Sequence, residues 1–156
     1  VAGLLTPSDK AAAATRLGLV TDQTLMLWSA LPFVYGATDC FLSILDHVEE
    51  VIGERFADRP RYRSARDAYR QLRAYGGFQA YCELVFARLG LETTKEPKRG
   101  DVGLVDIPGT GLTACLCLGR SWAARGEGSF TMVQAAPVIA WSVVPPEASR
   151  RPQCLR

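Results

Sequence analysis

Cys40 and His47 are the residues whose types first suggest chemistry. Cys40 follows Asp39 and opens the run Phe41-Leu42-Ser43-Ile44-Leu45-Asp46-His47-Val48-Glu49-Glu50-Val51-Ile52-Gly53. Its apolar residues at 41, 44, 45, 48, 51 and 52 keep helical spacing, and the glycine is a stop. Thr38 or Asp39 is the expected N-cap, so Cys40 falls in the first turn of a core helix. There the free N–H groups and the helix dipole favour the thiolate, the nucleophilic form. Catalysis would further need a base within hydrogen-bond reach, a group orienting that base, and oxyanion donors. His47 is the only histidine. Seven residues along one helix is roughly 10 Å at about 1.5 Å per residue, whereas proton transfer needs about 3 Å. His47 is thereby excluded as the base of Cys40, and a helix-surface or half-buried place beside Glu50 or Val51 is expected for it. By position alone a buried core cysteine is the commoner reading of Cys40, free cysteine being among the most buried residue types.

The elements that must position Cys40 are legible on both sides of it. Residues 8–19 read as a helix capped by Ser8 or Asp9 and ending near Gly18. A second helix is expected over 21–30, capped by Thr21 or Asp22 and ended by Pro32. A helix from Ser64 would turn Ala65, Ala68, Tyr69 and Leu72 inward and stack Arg66, Arg70 and Arg73 on its outer face, with Gly76-Gly77 closing it. Another helix follows over 78–89. The second half reads as short strands over 102–107, 113–118, 129–134 and 138–144, punctuated by glycine and proline. Helices first and an antiparallel sheet afterwards is an α+β order. Residues 1–30 are expected as a helical extension packed on a domain over 31–145, with 146–156 a loosely held tail.

Bulk properties narrow the function classes. With 156 residues, 48% hydrophobic and 22% charged, the chain fits one globular domain. A net charge of +2 and no recognised nucleic-acid motif argue against nucleic acid as partner. No apolar run reaches the roughly 18 to 20 residues of a membrane span. The opening residues lack the features of a signal peptide, so synthesis and folding in a cytoplasm are expected. Five cysteines, an odd number, argue against a disulfide framework. One histidine and no C-x-x-C pair argue against a zinc site, and no cofactor or metal is expected. Cys115 and Cys117 alternate within an apolar run, so both face one side of a strand as small buried hydrophobes.

Three motifs in order carry a family resemblance. Pro32-Phe33-Val34-Tyr35-Gly36 followed by Asp39-Cys40 resembles the nucleophile segment of NlpC-like, papain-fold cell-wall peptidases, Pro-Tyr-x-Trp-Gly-Gly, a loop, then Asp-Cys-Ser-Gly. Arg99-Gly100-Asp101-Val102-Gly103-Leu104-Val105 resembles that family's x-Gly-Asp-Leu-Val-x-Phe strand. Thr113-Ala114-Cys115-Leu116-Cys117-Leu118-Gly119 resembles its His-Val-Gly-Ile-Tyr-Leu-Gly strand. The resemblance covers about residues 28 to 144. It implies a papain-like fold, N-terminal helices packed on a C-terminal antiparallel sheet, with Cys40 at the nucleophile position. The departures fall on the chemistry. The family's histidine aligns with Thr113, which is no base near neutral pH. Its oxyanion-supporting tyrosine aligns with Phe33, and its third polar residue falls near Arg125, which cannot accept a hydrogen bond. Asp39, Asp101 or a residue lent by a partner are the remaining bases for a peptidoglycan amidase or endopeptidase. Asp39 more naturally caps the helix, and its charge opposes thiolate formation.

A narrower resemblance joins Gly-x-x-Asp-Cys, the Arg61-Tyr62-Arg63 segment ending in Gly-Gly, Gly-Asp-Val-x-Leu, a histidine-free Leu-Gly strand, and Ala140-Trp141-Ser142-Val143. This set is similar to small phage proteins encoded among tail genes and related in fold to NlpC-like peptidases. It implies a non-catalytic structural component of a phage or gene-transfer-agent tail or tail tip, made and assembled in the host cytoplasm. Its partners would be other tail proteins, with the bacterial cell wall as a further contact. Seven arginines lie between 55 and 73. Arg59, Arg63, Arg66, Arg70 and Arg73 are the candidate docking residues, arginine being favoured at interfaces. The alternative for them is a solvated helix face balanced by Glu54, Asp58 and Asp67. In a binding module that reuses the old cleft, Trp28, Tyr35 and Trp122 would supply stacking surfaces.

Overall fold

The computed structural model describes residues 4–148. Most of the expected tail, and Cys154 with it, lies outside the described residues. The chain is α+β, four helices followed by six antiparallel strands in one sheet.

The first helix, α1, runs Pro7–Ala30 without interruption where two helices were expected. Thr6 Oγ1 accepts from Asp9 N and Asp9 Oδ2 accepts from Thr6 N, each at 3.0 Å, a reciprocal cap with Pro7 just inside it. Gly18 costs a helix about 1 kcal/mol relative to alanine, too little to break one that is packed. Thr21, expected as a second cap, instead turns its hydroxyl back to Leu17 O at 2.7 Å, and Asp22 accepts from Arg99 at 2.7 Å. Leu17, Val20 and Trp28 of α1 lie in the common core. The N-terminal helix is thus packed into the same core as α2, α4 and the sheet.

Helix α2, Cys40–Ile52, is the centre of that core: Leu42, Ile44, Leu45, Val48 and Val51 are fully buried. Gly53 closes it in the left-handed region (φ 74). Helices α3, Ala65–Arg73, and α4, Phe78–Arg88, follow, α4 adding Cys82, Val85 and Phe86 to the core.

The strands are β1 (Glu92–Thr93), β2 (Val102–Ile107), β3 (Gly111–Cys117), β4 (Trp122–Arg125), β5 (Phe130–Val133) and β6 (Ile139–Ser142), in the order β1-β6-β2-β3-β4-β5. Alternation divides the central strands between two faces. Val102, Leu104, Ala114, Leu116 and Ala123 face the helices, while Val105, Cys115, Cys117, Trp122 and Ala124 form a second cluster on the other face. Cys115 and Cys117 thus share one side as small buried hydrophobes. The start of the expected loose tail is tied down: Pro146–Ala148 forms a 3-10 turn whose Glu147 pairs with Arg16 at 2.7 Å.

Candidate functional site

The site begins with a knot around Asp39. Residues 34–38 turn sharply, with Gly36 at φ +81. A Cβ on Gly36 would stand 1.8 Å from Tyr62 O, so only glycine lets the two segments touch. Asp39 is the N-cap of α2: Oδ1 accepts from Leu42 N at 3.0 Å. Its Oδ2 accepts from Gly36 N at 2.8 Å and from the Tyr62 hydroxyl at 2.7 Å. This buried carboxylate holds three donors and is committed to shaping the turn, which removes it as a base for its neighbour. Thr38, the other expected cap, bonds Val34 N and Pro32 O instead.

Cys40 is half-buried at the start of α2 and lines a cleft of about 480 Å³. Burial pushes its thiol up to about 11 and the adjacent Asp39 adds to the rise. Backbone N–H groups of Phe41, Cys40 and Ala114 offset only part of it. Desolvation therefore outweighs the helix-terminus effect that favours a thiolate.

The positions of β3 that face the helices carry no base. Leu112, Ala114 and Leu116 are the positions of β3 that pack toward the helices. Thr113, expected at the position of a missing histidine, borders the cleft but pairs with Val105 and shares the parity of Cys115, on the opposite face. Its hydroxyl donates to Gly111 O at 3.0 Å. A histidine placed at 113 would therefore point away from Cys40. Phe33 also lines the cleft, its ring set edge-on against Tyr35 at 5.1 Å, with no hydroxyl for an oxyanion. Arg125 reaches the helix side from β4 and is buried. Its guanidinium donates to the carbonyls of Trp28, Leu31, Thr38 and Ser129. It clamps the end of α1 to the segment before Cys40.

His47 is buried, a correction of the expected surface or half-buried place. Gly100 O can only accept, so Nε2 carries the proton and donates to it at 2.9 Å, leaving Nδ1 to accept from the Thr24 hydroxyl at 3.0 Å. Burial lowers its pKa to about 4. A neutral strut between α1, α2 and the start of β2, it serves no proton transfer at Cys40. Asp101 is likewise structural: its carboxylate accepts from Lys98 N at 2.9 Å and Val143 N at 3.0 Å. It sits beside Cys117, three residues along β3 from Ala114, or roughly 10 Å at strand rise. Among the described residues no cluster of three histidine, cysteine, aspartate or glutamate side chains could hold a metal ion.

The arginine run divides. Arg59 donates to Glu49 Oε1 at 2.8 Å and Asp46 Oδ1 at 2.6 Å, covering a buried carboxylate, so it is not a free docking residue. Arg63, Arg66, Arg70 and Arg73 are exposed and make no ion pair with a described residue. Asp58, expected to balance them, pairs with Arg88 at 3.3 Å. Besides Phe33 and Phe41, the aromatic side chains lining the cleft are Tyr35, Tyr62, Tyr69, Tyr75, Phe78 and Tyr81. Of the three aromatics expected there, Trp28 and Trp122 lie in the core and only Tyr35 lines the cleft. Helical spacing predicts Tyr69 inward on α3, whereas it is 67% exposed.

A family model described as a domain of unknown function (DUF6950) matches residues 14–143. The chain belongs to that family. The matched stretch takes in most of α1 and ends just beyond β6, in keeping with one shared core. No curated protein and no solved structure matches the chain. No described helix is long and apolar enough to cross a membrane.

Proposed function

We propose that this domain is a papain-like, NlpC-like fold that has lost catalysis and works through protein–protein contacts, as a structural component of a phage or gene-transfer-agent tail or tail tip. The observation that carries the non-catalytic half is the wall opposite Cys40, which offers Leu112, Ala114 and the fully engaged Arg125 where a base would have to stand. The raised thiol, the capped Asp39 and the distant Asp101 agree with it. The papain-like reading is supported by a cysteine at the first turn of the central helix followed by an antiparallel sheet. The tail assignment, with assembly in the host cytoplasm and tail proteins as partners, rests on the motif series and on the exposed arginines of α3.

A thiol-alkylation titration against pH, with Cys40→Ala as control, tests the chemistry. Slow alkylation rising only above about pH 9 is expected for a desolvated thiol. Rapid alkylation confined to Cys40 at about pH 6 to 7 would mean an activated thiolate. Cleavage of peptidoglycan stem peptides that is lost on Cys40→Ala would replace this proposal with a cysteine hydrolase.

A further inference from the structure

Helix α3 is the least buried wall of the cleft. None of its nine residues is buried, and Ala65, Ala68 and Leu72 line the cleft. Tyr69 and Tyr75 are 67% and 50% exposed, and Tyr35 of the same cleft is 44% exposed. Tyr75 packs against the buried Tyr81 at 4.9 Å and Tyr35 against Phe33 at 5.1 Å, so two ring pairs and Tyr69 line the same cleft. At about 100° per residue, Arg66, Arg70 and Arg73 stack in a stripe beside Tyr69, with Arg63 just ahead of the helix. Arg66 and Arg70 stand at i,i+4 spacing, where like charges destabilise a helix. None of them makes an ion pair with a described residue, whereas Arg16, Arg59, Arg88 and Arg99 each have an acidic partner.

We propose that the cleft beside Cys40 and the arginine stripe of α3 together form a docking site for an acidic segment of a partner protein. One aromatic side chain of that segment seats among Tyr35, Tyr69, Tyr75 and Tyr81, and its carboxylates pair with Arg66, Arg70 and Arg73. The inference deepens the non-catalytic reading above and rests on it for the kind of partner. Arginine meets carboxylates in paired, parallel hydrogen bonds, and aromatic groups with arginine are the usual anchors of interfaces. A cleft of about 480 Å³ has room for a large aromatic side chain together with part of its flanking chain. Glu127 and the Arg88-paired Asp58 also line the cleft, so the carboxylates of the segment belong over the arginine stripe and its aromatic side chain in the cleft, a separation that an evenly charged phosphate backbone does not offer.

The test is fluorescence anisotropy on the full chain. The probe is a labelled peptide of aspartate and glutamate around one central tryptophan. Comparison probes are the same peptide with serine for tryptophan, and single-stranded DNA of equal charge. The tryptophan peptide is expected to saturate at about 0.15 M salt and weaken as screening increases. R66E/R70E/R73E and, separately, Tyr69→Ala should each weaken it about tenfold or more, as expected of anchor residues. Both alter exposed side chains, and unchanged circular dichroism and denaturation midpoints establish that the variants fold. Equal binding of the serine peptide, tighter binding of DNA, indifference to the arginine reversal, or no saturable binding would each overturn the proposal. Loss of docking with a slow Cys40 would defeat this inference alone. A rapidly alkylated Cys40 would defeat the non-catalytic reading and leave the binding result standing.

Discussion

Two helices wall the same cleft and could hardly differ more. Ten of the thirteen residues of α2 are buried, and none of the nine of α3. On α2 the groups that suggest chemistry are already used: Asp39 caps and ties the turn, His47 struts α1 to β2, Glu49 is covered by Arg59, and the Cys40 thiol is desolvated. On α3, Tyr69, expected inward, is 67% exposed, and Arg66, Arg70 and Arg73 are exposed and make no ion pair with a described residue. Asp39, His47 and Glu49 are engaged in holding the fold together, whereas the α3 side chains stay exposed.

The comparison breaks most readily by truncating one leucine on each helix. Leu45 of α2 is fully buried, so Leu45→Ala should cost about 2–5 kcal/mol through lost transfer energy and the cavity left behind. Leu72 of α3 is partly buried against the same core, and Leu72→Ala should cost under about 1.5 kcal/mol. Urea denaturation of both variants reads the difference. Equal losses would make α3 a core element.

The buried histidine gives the next largest effect, through pH. In the fold its pKa is lowered by burial to about 4, against 6.5 when exposed. Between those values the unfolded chain binds a proton that the folded chain does not. Stability from neutral His47 is therefore complete above about pH 6.5 and falls by up to about 1.4 kcal/mol per pH unit on acidification toward pH 4. His47→Gln should flatten that slope between pH 7 and 5 in denaturation midpoints. An unchanged slope would mean that the imidazole is already charged in the fold or is open to water.

How far the sequence announced these features depends on the kind of signal. The α2 helix and its glycine stop followed from the apolar spacing, and β2 from its bounded apolar run. His47 could have been placed inside, since it falls three residues after Ile44 and four before Val51, both buried. Strand β4 escaped because Ala123 and Ala124 carry little strand preference. The face of Thr113 could not be read from a motif, because a one-residue shift in register reverses every side chain of a strand. Tyr62 escaped for another reason: it is a loop residue whose role is set by contact with Gly36 and Asp39, distant in sequence.

The smallest expected effect is the sharpest test of the contrast, because it sets two arginines of one run against each other. Arg59→Ala strips the cover from Glu49 Oε1, whose side chain is 1% exposed, and should cost about 2 kcal/mol as a charged acceptor is left short of donors. Arg70→Ala removes a side chain with no ionic partner and should stay within about 0.5 kcal/mol of the parent. A slight gain is expected at low salt, where repulsion from Arg66 across one helical turn is least screened. Paired urea melts at low and high salt would resolve both. A loss on Arg70→Ala as large as that on Arg59→Ala would mean that the stripe serves the fold, and the docking site would lose the free charge on which it depends.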